Sequence, residues 1–144
     1  MQASARNQFT GVIKEIQLGA VNAEVHVSIA GGDTVIATVT KDSIDNLAIK
    51  VGAEVIALIK APQIIIVTDF GGYRLSARNQ LAGTVTHVRP GAINSEIDIA
   101  LTGGDIVAAT VTNDSVASLG ITVGQAVTAV FKAGAVILAI AASD

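Results

Sequence analysis

The pentapeptide Ser-Ala-Arg-Asn-Gln stands twice in this chain, at Ser4–Gln8 and at Ser76–Gln80. Carrying that one shift along the sequence superposes Gly11 on Gly83, Gly19-Ala20 on Gly91-Ala92 and Asn22 on Asn94. It also sets Gly31-Gly32-Asp33 on Gly103-Gly104-Asp105, Thr40 on Thr112, Asp42-Ser43 on Asp114-Ser115 and Lys60-Ala61 on Lys132-Ala133, with no gap. A chain that nearly copies itself is built from two equivalent units, and this constrains every later inference. The reading predicts modules at 1–68 and 75–144, joined by a linker at 69–74 that contains Gly71-Gly72.

Each module is of a size, about 70 residues, at which a lone hydrophobic core is marginal. Yet 51% of the chain is hydrophobic and only 15% charged, with a mean hydropathy of +0.61. The excess apolar surface therefore predicts burial between modules or between copies. A membrane span is not expected, because the longest apolar stretch, Ala133–Ala142, is about half the ~20 residues a spanning helix needs. The polar start and the absence of cysteine fit a cytoplasmic protein without disulfides or thiolate metal sites. A net charge of −3 opposes binding along a phosphate backbone, and 3% aromatics leave almost nothing for bases to stack on.

Apolar residues recur with period two. Val25, Val27 and Ile29 alternate with Glu24, His26 and Ser28, and their copies are Ile97, Ile99 and Leu101. Gly31-Gly32-Asp33 supplies a tight hairpin, and Val35, Ala37 and Val39 share one face of the returning strand. Gln8–Ile16 precedes these as a first strand, with Gly11 a bulge or a point of close approach. Two Ile/Val-rich segments follow at Glu54–Ile59 and Ile64–Thr68. Thr40 caps one short helix, with Asp42 at its positive end and Ile44 and Leu47 on its apolar side. The expected fold is mainly β: two five-stranded barrels of the OB type in tandem, each with one short helix.

Several polar residues persist in both copies while their neighbours drift. Ser4, Arg6, Asn7, Thr40, Ser43 and Lys60 recur as Ser76, Arg78, Asn79, Thr112, Ser115 and Lys132, whereas Lys14 becomes Thr86 and Lys41 becomes Asn113. Two cations with hydroxyl and amide donors suit a small anion: arginine offers a planar fork, lysine a compact charge and Ser/Thr adaptable O–H groups. Taken singly, each has a plainer reading as a helix cap or a solvated charge. The recurrence of all six together favours a site. A second retained set, Gly19-Ala20-x-Asn22 and Gly91-Ala92-x-Asn94, reads first as a turn and second as a backbone N–H nest for another anion. Nothing retained resembles a catalytic pair or a cluster of metal ligands. His26 and His87 read as surface residues, and Glu24 and Glu96 lack a second retained carboxylate for acid–base work.

Ser-Ala-Arg-Asn, Gly-Ala-Val-Asn-Ala-Glu at Gly19–Glu24, Thr-x-x-Ser at the helix and Val-x-Ala-x-x-Lys-Ala-Pro at Val55–Pro62 together resemble the molbindin (Mop) family. The resemblance covers both halves, in the manner of two-module cytoplasmic molybdate-binding proteins. It implies OB-like barrels that bind molybdate or tungstate at interfaces, with chains assembled as trimers. It places the principal site on Ser4, Arg6, Lys60 and the Ala61 backbone of one module, with Thr40 and Ser43 from a neighbouring module. The equivalents are Ser76, Arg78, Lys132 and Ala133, with Thr112 and Ser115. Asn7 and Asn79 match the same motif. A second class of site, on the threefold axis, would use Gly19, Ala20, Val21 and Asn22, and Gly91, Ala92, Ile93 and Asn94. Three departures, Pro62 to Gly134, Leu18 to Pro90 and Val21 to Ile93, bear on whether the halves are equivalent, the first by loosening the loop beside Lys132.

The resulting expectation is a cytoplasmic protein that binds molybdate or tungstate for storage and homeostasis, with no catalytic cofactor and no metal held directly by side chains. The alternative is a module that senses the anion for a protein partner. An oligosaccharide or nucleic-acid binder and an enzyme are weaker readings, opposed by the few aromatics and by the lack of a retained catalytic pair.

Overall fold

In the computed structural model, which describes residues 1–142, the stretches of period-two alternation are strands. The first half runs β1 (Asn7–Leu18), β2 (Asn22–Ser28), β3 (Thr34–Thr40), α1 (Lys41–Asn46), β4 (Glu54–Ile59) and β5 (Ile65–Val67). The second repeats it as β6 (Asn79–Pro90), β7 (Asn94–Leu101), β8 (Ile106–Thr112), α2 (Asn113–Leu119), β9 (Ala126–Phe131) and β10 (Ile137–Ala139). The last two residues of the expected second module lie outside the described residues.

The turn chemistry follows the sequence. Thr40 Oγ1 accepts from the Ser43 N–H at 3.1 Å, and Thr112 Oγ1 does the same for Ser115 at 3.1 Å, capping α1 and α2. Helix α2 stops at Gly120, in the left-handed region at φ 62°, and the equivalent Ala48 adopts φ 52° without a glycine's freedom. Gly11 is a close approach: a Cβ there would lie 2.5 Å from the Ser28 carbonyl oxygen. The bulge of β1 falls further on, between Ile13 and Glu15. The hairpin glycines do more than turn the chain, since a Cβ on Gly31 would lie 2.2 Å from Gly103 Cα. The two hairpin tips thus touch backbone to backbone.

The modules are not self-contained in the way the boundaries at 68 and 75 imply. Each sheet takes its fifth strand from the other half, giving the orders β10-β4-β1-β2-β3 and β5-β9-β6-β7-β8. In register, Leu138 faces Ala57 and Ile66 faces Ala129, in antiparallel ladders. The crossing is made by single 3-10 turns, Ala61–Gln63 and Ala133–Ala135, which pack against β8 and β3 respectively. Burial explains why the exchange holds. Ile66 and Leu138 are 6% and 8% exposed and complete a core continuous from Phe9 to Phe131. Burying a side chain of this size contributes about 2–3 kcal/mol. The fold is therefore the expected pair of five-stranded OB-like sheets, interlocked by exchange of their last strands.

Candidate functional site

Strand exchange sets the starts of β1 and β6, the ends of β4 and β9 and the two crossing turns along one seam. Two clefts open there. One, of about 700 Å³, is lined by Ser4, Arg6, Lys60, Ala61 and, from the other half, Thr110 and Ala135. The other, of about 630 Å³, is lined by Ser76, Arg78, Lys132, Ala133 and, from the first half, Thr38. Pro62, Gln63 and Gly134 border both, so the clefts are neighbours across the crossing turns. Lys60 and Lys132 each precede a turn with nearly equal backbone angles, φ −69°, ψ 136° and φ −73°, ψ 143°. Gly134 in place of Pro62 therefore leaves the backbone at the lysine that leads into the turn in the same conformation. Each cleft gathers one guanidinium, one ammonium, two hydroxyls and the Gln63 amide among apolar walls, with no carboxylate, a donor-rich surface suited to an anion.

The arginines do not stand free. Arg6 presents both terminal nitrogens to the Glu96 carboxylate, with Nη1 at 3.0 Å from Oε2, and Arg78 Nη1 lies 2.6 Å from Glu24 Oε2. In each case the partner belongs to the other half. The carboxylates are the better covered members, with Glu24 and Glu96 at 19% and 23% side-chain exposure against 53% and 58% for the arginines. Sequence reasoning set these two glutamates aside because it sought a second carboxylate. Their retention in both copies was the available signal.

Asn7 and Asn79 have a different part from the one the motif implied. Asn7 is fully buried; its Nδ2 donates to the carbonyls of Ala108 (2.9 Å) and Ile59 (3.2 Å), and its Oδ1 accepts from the Ala108 N–H at 2.7 Å. Asn79 grips Ile36 likewise, at 2.8 and 2.7 Å. Each amide thus clamps the edge strand of the opposite half, satisfying backbone groups that would otherwise be left orphaned. Both amide ends are committed, and neither asparagine lines a cleft.

Thr40 and Ser43, and Thr112 and Ser115, form local pairs at the helix starts, with hydroxyls 2.9 and 2.8 Å apart. None of the four lines either cleft of the single chain. Gly19–Asn22 and Gly91–Asn94 are tight turns closed by Gly N–H to Asn C=O bonds of 2.8 and 2.7 Å. Pro90 and Ile93 leave that closure unchanged, although Asn113 Nδ2 braces the Gly91 carbonyl at 2.9 Å in the second half alone. Both turns stand in solvent, with Val21 and Ile93 73% and 75% exposed at their tips.

The histidines divide. His87 is exposed near Asp98, as a surface residue would be. His26, expected to face outward, is covered, with Nε2 2.8 Å from Glu24 and Nδ1 3.4 Å from Glu15. Asp98 also pairs with Arg89 at 2.7 Å, which raises that guanidinium's pKa through the hydrogen bond and the charge. Among the described residues no group of three His, Cys, Asp or Glu side chains could hold a metal ion. Among the same described residues no helix is long and apolar enough to cross a membrane.

Comparison with known proteins gives a consistent picture. Residues 3–66 and 75–138 each match the TOBE domain. The chain is 47% identical over 140 residues to the molybdenum transport protein ModE of Herbaspirillum seropedicae, covering 97% of this chain and 52% of that protein. It is 37% identical over 139 residues to the molybdenum-pterin-binding protein MopA of Rhodobacter capsulatus, covering 96% and 52%. The chain thus spans about half the length of these curated relatives. Among solved structures, the cytoplasmic molybdate-binding protein ModG with molybdate bound superposes with a TM-score of 0.95 at 46% identity, over 98% of this chain and 100% of that one. With a TOBE domain in each half and this fold shared end to end, the chain belongs to the TOBE domain family, in its tandem, molbindin-type form.

Proposed function

We propose that this protein binds molybdate, and tungstate of the same shape and charge, in the two seam clefts, and that it stores or buffers the oxyanion in the cytoplasm without acting on it chemically. The observation that carries the reading is positional. Equivalent residues of the two halves, Ser4, Arg6, Lys60 and Ala61 in one and Ser76, Arg78, Lys132 and Ala133 in the other, line one cleft each. A tetrahedral dianion set there would meet two cations, a hydroxyl and, at the crossing turn, a backbone N–H, so its charge is offset as it leaves water. The bound state of the ModG structure supports molybdate as the ligand.

In this reading the cleft is completed by a second copy. Thr40 with Ser43, and Thr112 with Ser115, are exposed or half-buried at the helix starts, free to cover a neighbour's cleft in a trimer. The turns at Gly19–Asn22 and Gly91–Asn94 would then converge on the threefold axis as the second class of site, burying Val21 and Ile93. The same donors would serve an anion-sensing module equally well, and the spans of the relatives keep that alternative open. Pulldowns with and without molybdate separate the two, since storage predicts no partner that depends on the anion.

Titration calorimetry with molybdate tests the proposal. Saturable binding is expected, weakened at least tenfold in the corresponding cleft by Arg6→Ala or Arg78→Ala. Absence of heat from folded protein, or arginine variants that bind as wild type does, would overturn it.

A further inference from the structure

Glu24 and Glu96 do not line the clefts that hold Arg78 and Arg6, yet each grips its arginine from the opposite half of the chain. Two roles are open to such a carboxylate. It could be a latch that the anion must displace, or a support that fixes the guanidinium while its remaining N–H groups face the cleft. Burial decides between them. With four-fifths of the Glu24 side chain covered, departure of the arginine would strand a desolvated carboxylate, which is costly. The exposed arginine is the member with freedom to lose, and anchoring it in advance removes part of the ordering cost of binding.

The surroundings of each carboxylate agree. Glu24 Oε1 is held by His26 Nε2 at 2.8 Å, leaving Oε2 for Arg78, and His26 is itself backed by Glu15 at 3.4 Å. In the second half the histidine and acid exchange strands. Glu15 and His26 are cross-strand partners in β1 and β2, and their equivalents His87 and Asp98 are partners in β6 and β7. Arg89, 4.0 Å from Glu96 and 2.7 Å from Asp98, joins that cluster. Glu24 is thus braced by a hydrogen bond from His26 and Glu96 more loosely by the charge of Arg89 at 4.0 Å, with the opposite module's arginine at the outer end of each. A support needs such bracing, whereas a displaceable latch gains nothing from it.

We infer that Glu24 and Glu96 are positioning residues for the proposed anion clefts, each orienting the arginine of the opposite module, so that neither module alone carries a finished site. This rests on the function proposed above. One module supplies the arginine, hydroxyl and lysine, and the other supplies the carboxylate that aims the arginine. In the absence of the second module, or of a partner copy in its place, the guanidinium returns to solvent.

Molybdate titration of the full chain tests this, with Glu96→Gln, Arg6→Ala and the double variant forming a cycle. Glu96→Gln is expected to weaken the Arg6 cleft about tenfold and leave the Arg78 cleft unchanged, with Glu24→Gln doing the reverse. On the Arg6→Ala background, Glu96→Gln should have no further effect, because its action passes through that arginine. Glu96→Asp, which keeps the charge, should lose less than Glu96→Gln and serves if the amide variant does not fold. Binding that is unchanged or tighter in folded Glu96→Gln, or losses that add in the double variant, would overturn the inference. A wild-type protein that takes up no molybdate would overturn the proposed function and this inference with it. Normal wild-type binding with a silent Glu96→Gln would overturn the inference alone.

Discussion

Replacing Asn7 by alanine probes the seam directly. The Asn7 side chain is fully buried and makes three hydrogen bonds, two of them to Ala108 on the edge strand of the other half. Its loss orphans the Ala108 N–H, at a residue only 6% exposed, and leaving a buried donor unpaired costs about 1–3 kcal/mol. The Ala108 carbonyl also loses its Nδ2 donor, and a small void replaces the amide, adding about 1 kcal/mol. The sum is about 3 kcal/mol, which for a chain of this length lowers the melting temperature by roughly 6–12 °C. Asn79→Ala should cost less, because Asn79 makes two bonds rather than three and Ile36 is half-buried. Gln8→Ala, which removes exposed bonds to Ala3 and Ala5, should cost under about 1 kcal/mol. Thermal melts and urea titrations of ligand-free protein give all three values. An Asn7→Ala variant within 1 kcal/mol of wild type, or one no worse than Gln8→Ala, would refute the clamp.

Other consequences are equally specific. Ala48→Gly should stabilise the chain by about 0.5–1 kcal/mol, because Ala48 holds φ 52° where the second half uses Gly120; a lower melting temperature would contradict this. Gly31→Ala should destabilise far more than Gly32→Ala, since both have positive φ but only Gly31 would drive a Cβ to 2.2 Å from Gly103; equal melts would show that the hairpin tips do not touch. Ile66→Ala should cost about 2–4 kcal/mol and raise hydrogen exchange at Val127–Phe131 rather than at Glu54–Ile59, because β5 pairs with β9; the opposite pattern would mean that strands are not exchanged. Saturating molybdate at a hundredfold excess over Kd should add about 3 kcal/mol per independent site, read as a rise in melting temperature that Arg6→Ala with Arg78→Ala abolishes.

The repeat, the strand faces and the helix caps were legible because they are local: alternation needs only neighbouring residues, and Thr40 bonds Ser43 three residues away. Retention in both copies also picked out Ser4, Arg6 and Lys60, which the fold brings to one cleft. Strand exchange was not legible. Ile65-Ile66-Val67 reads as a strand whichever sheet receives it, and the choice is made by a crossing turn and by packing at a distance. For the same reason Asn7 was read with the anion ligands; its partner Ala108 is 101 residues away, beyond any local pattern. The glutamates were set aside because acid–base work needs a second retained carboxylate; their arginine partners, 90 and 54 residues away, lie beyond any local pattern. Thr40 and Ser43 mark where one chain stops being informative, since they cap a helix here and line neither cleft.

Diffraction from crystals soaked in tungstate, with data collected at the tungsten absorption edge, tests the central claim most directly. The account predicts anomalous peaks in both seam clefts, each within hydrogen-bonding reach of the arginine and lysine, with Thr and Ser hydroxyls of a neighbouring copy on the open side. Clefts without peaks in crystals that bind tungsten elsewhere, or arginines turned away from the metal, would contradict it.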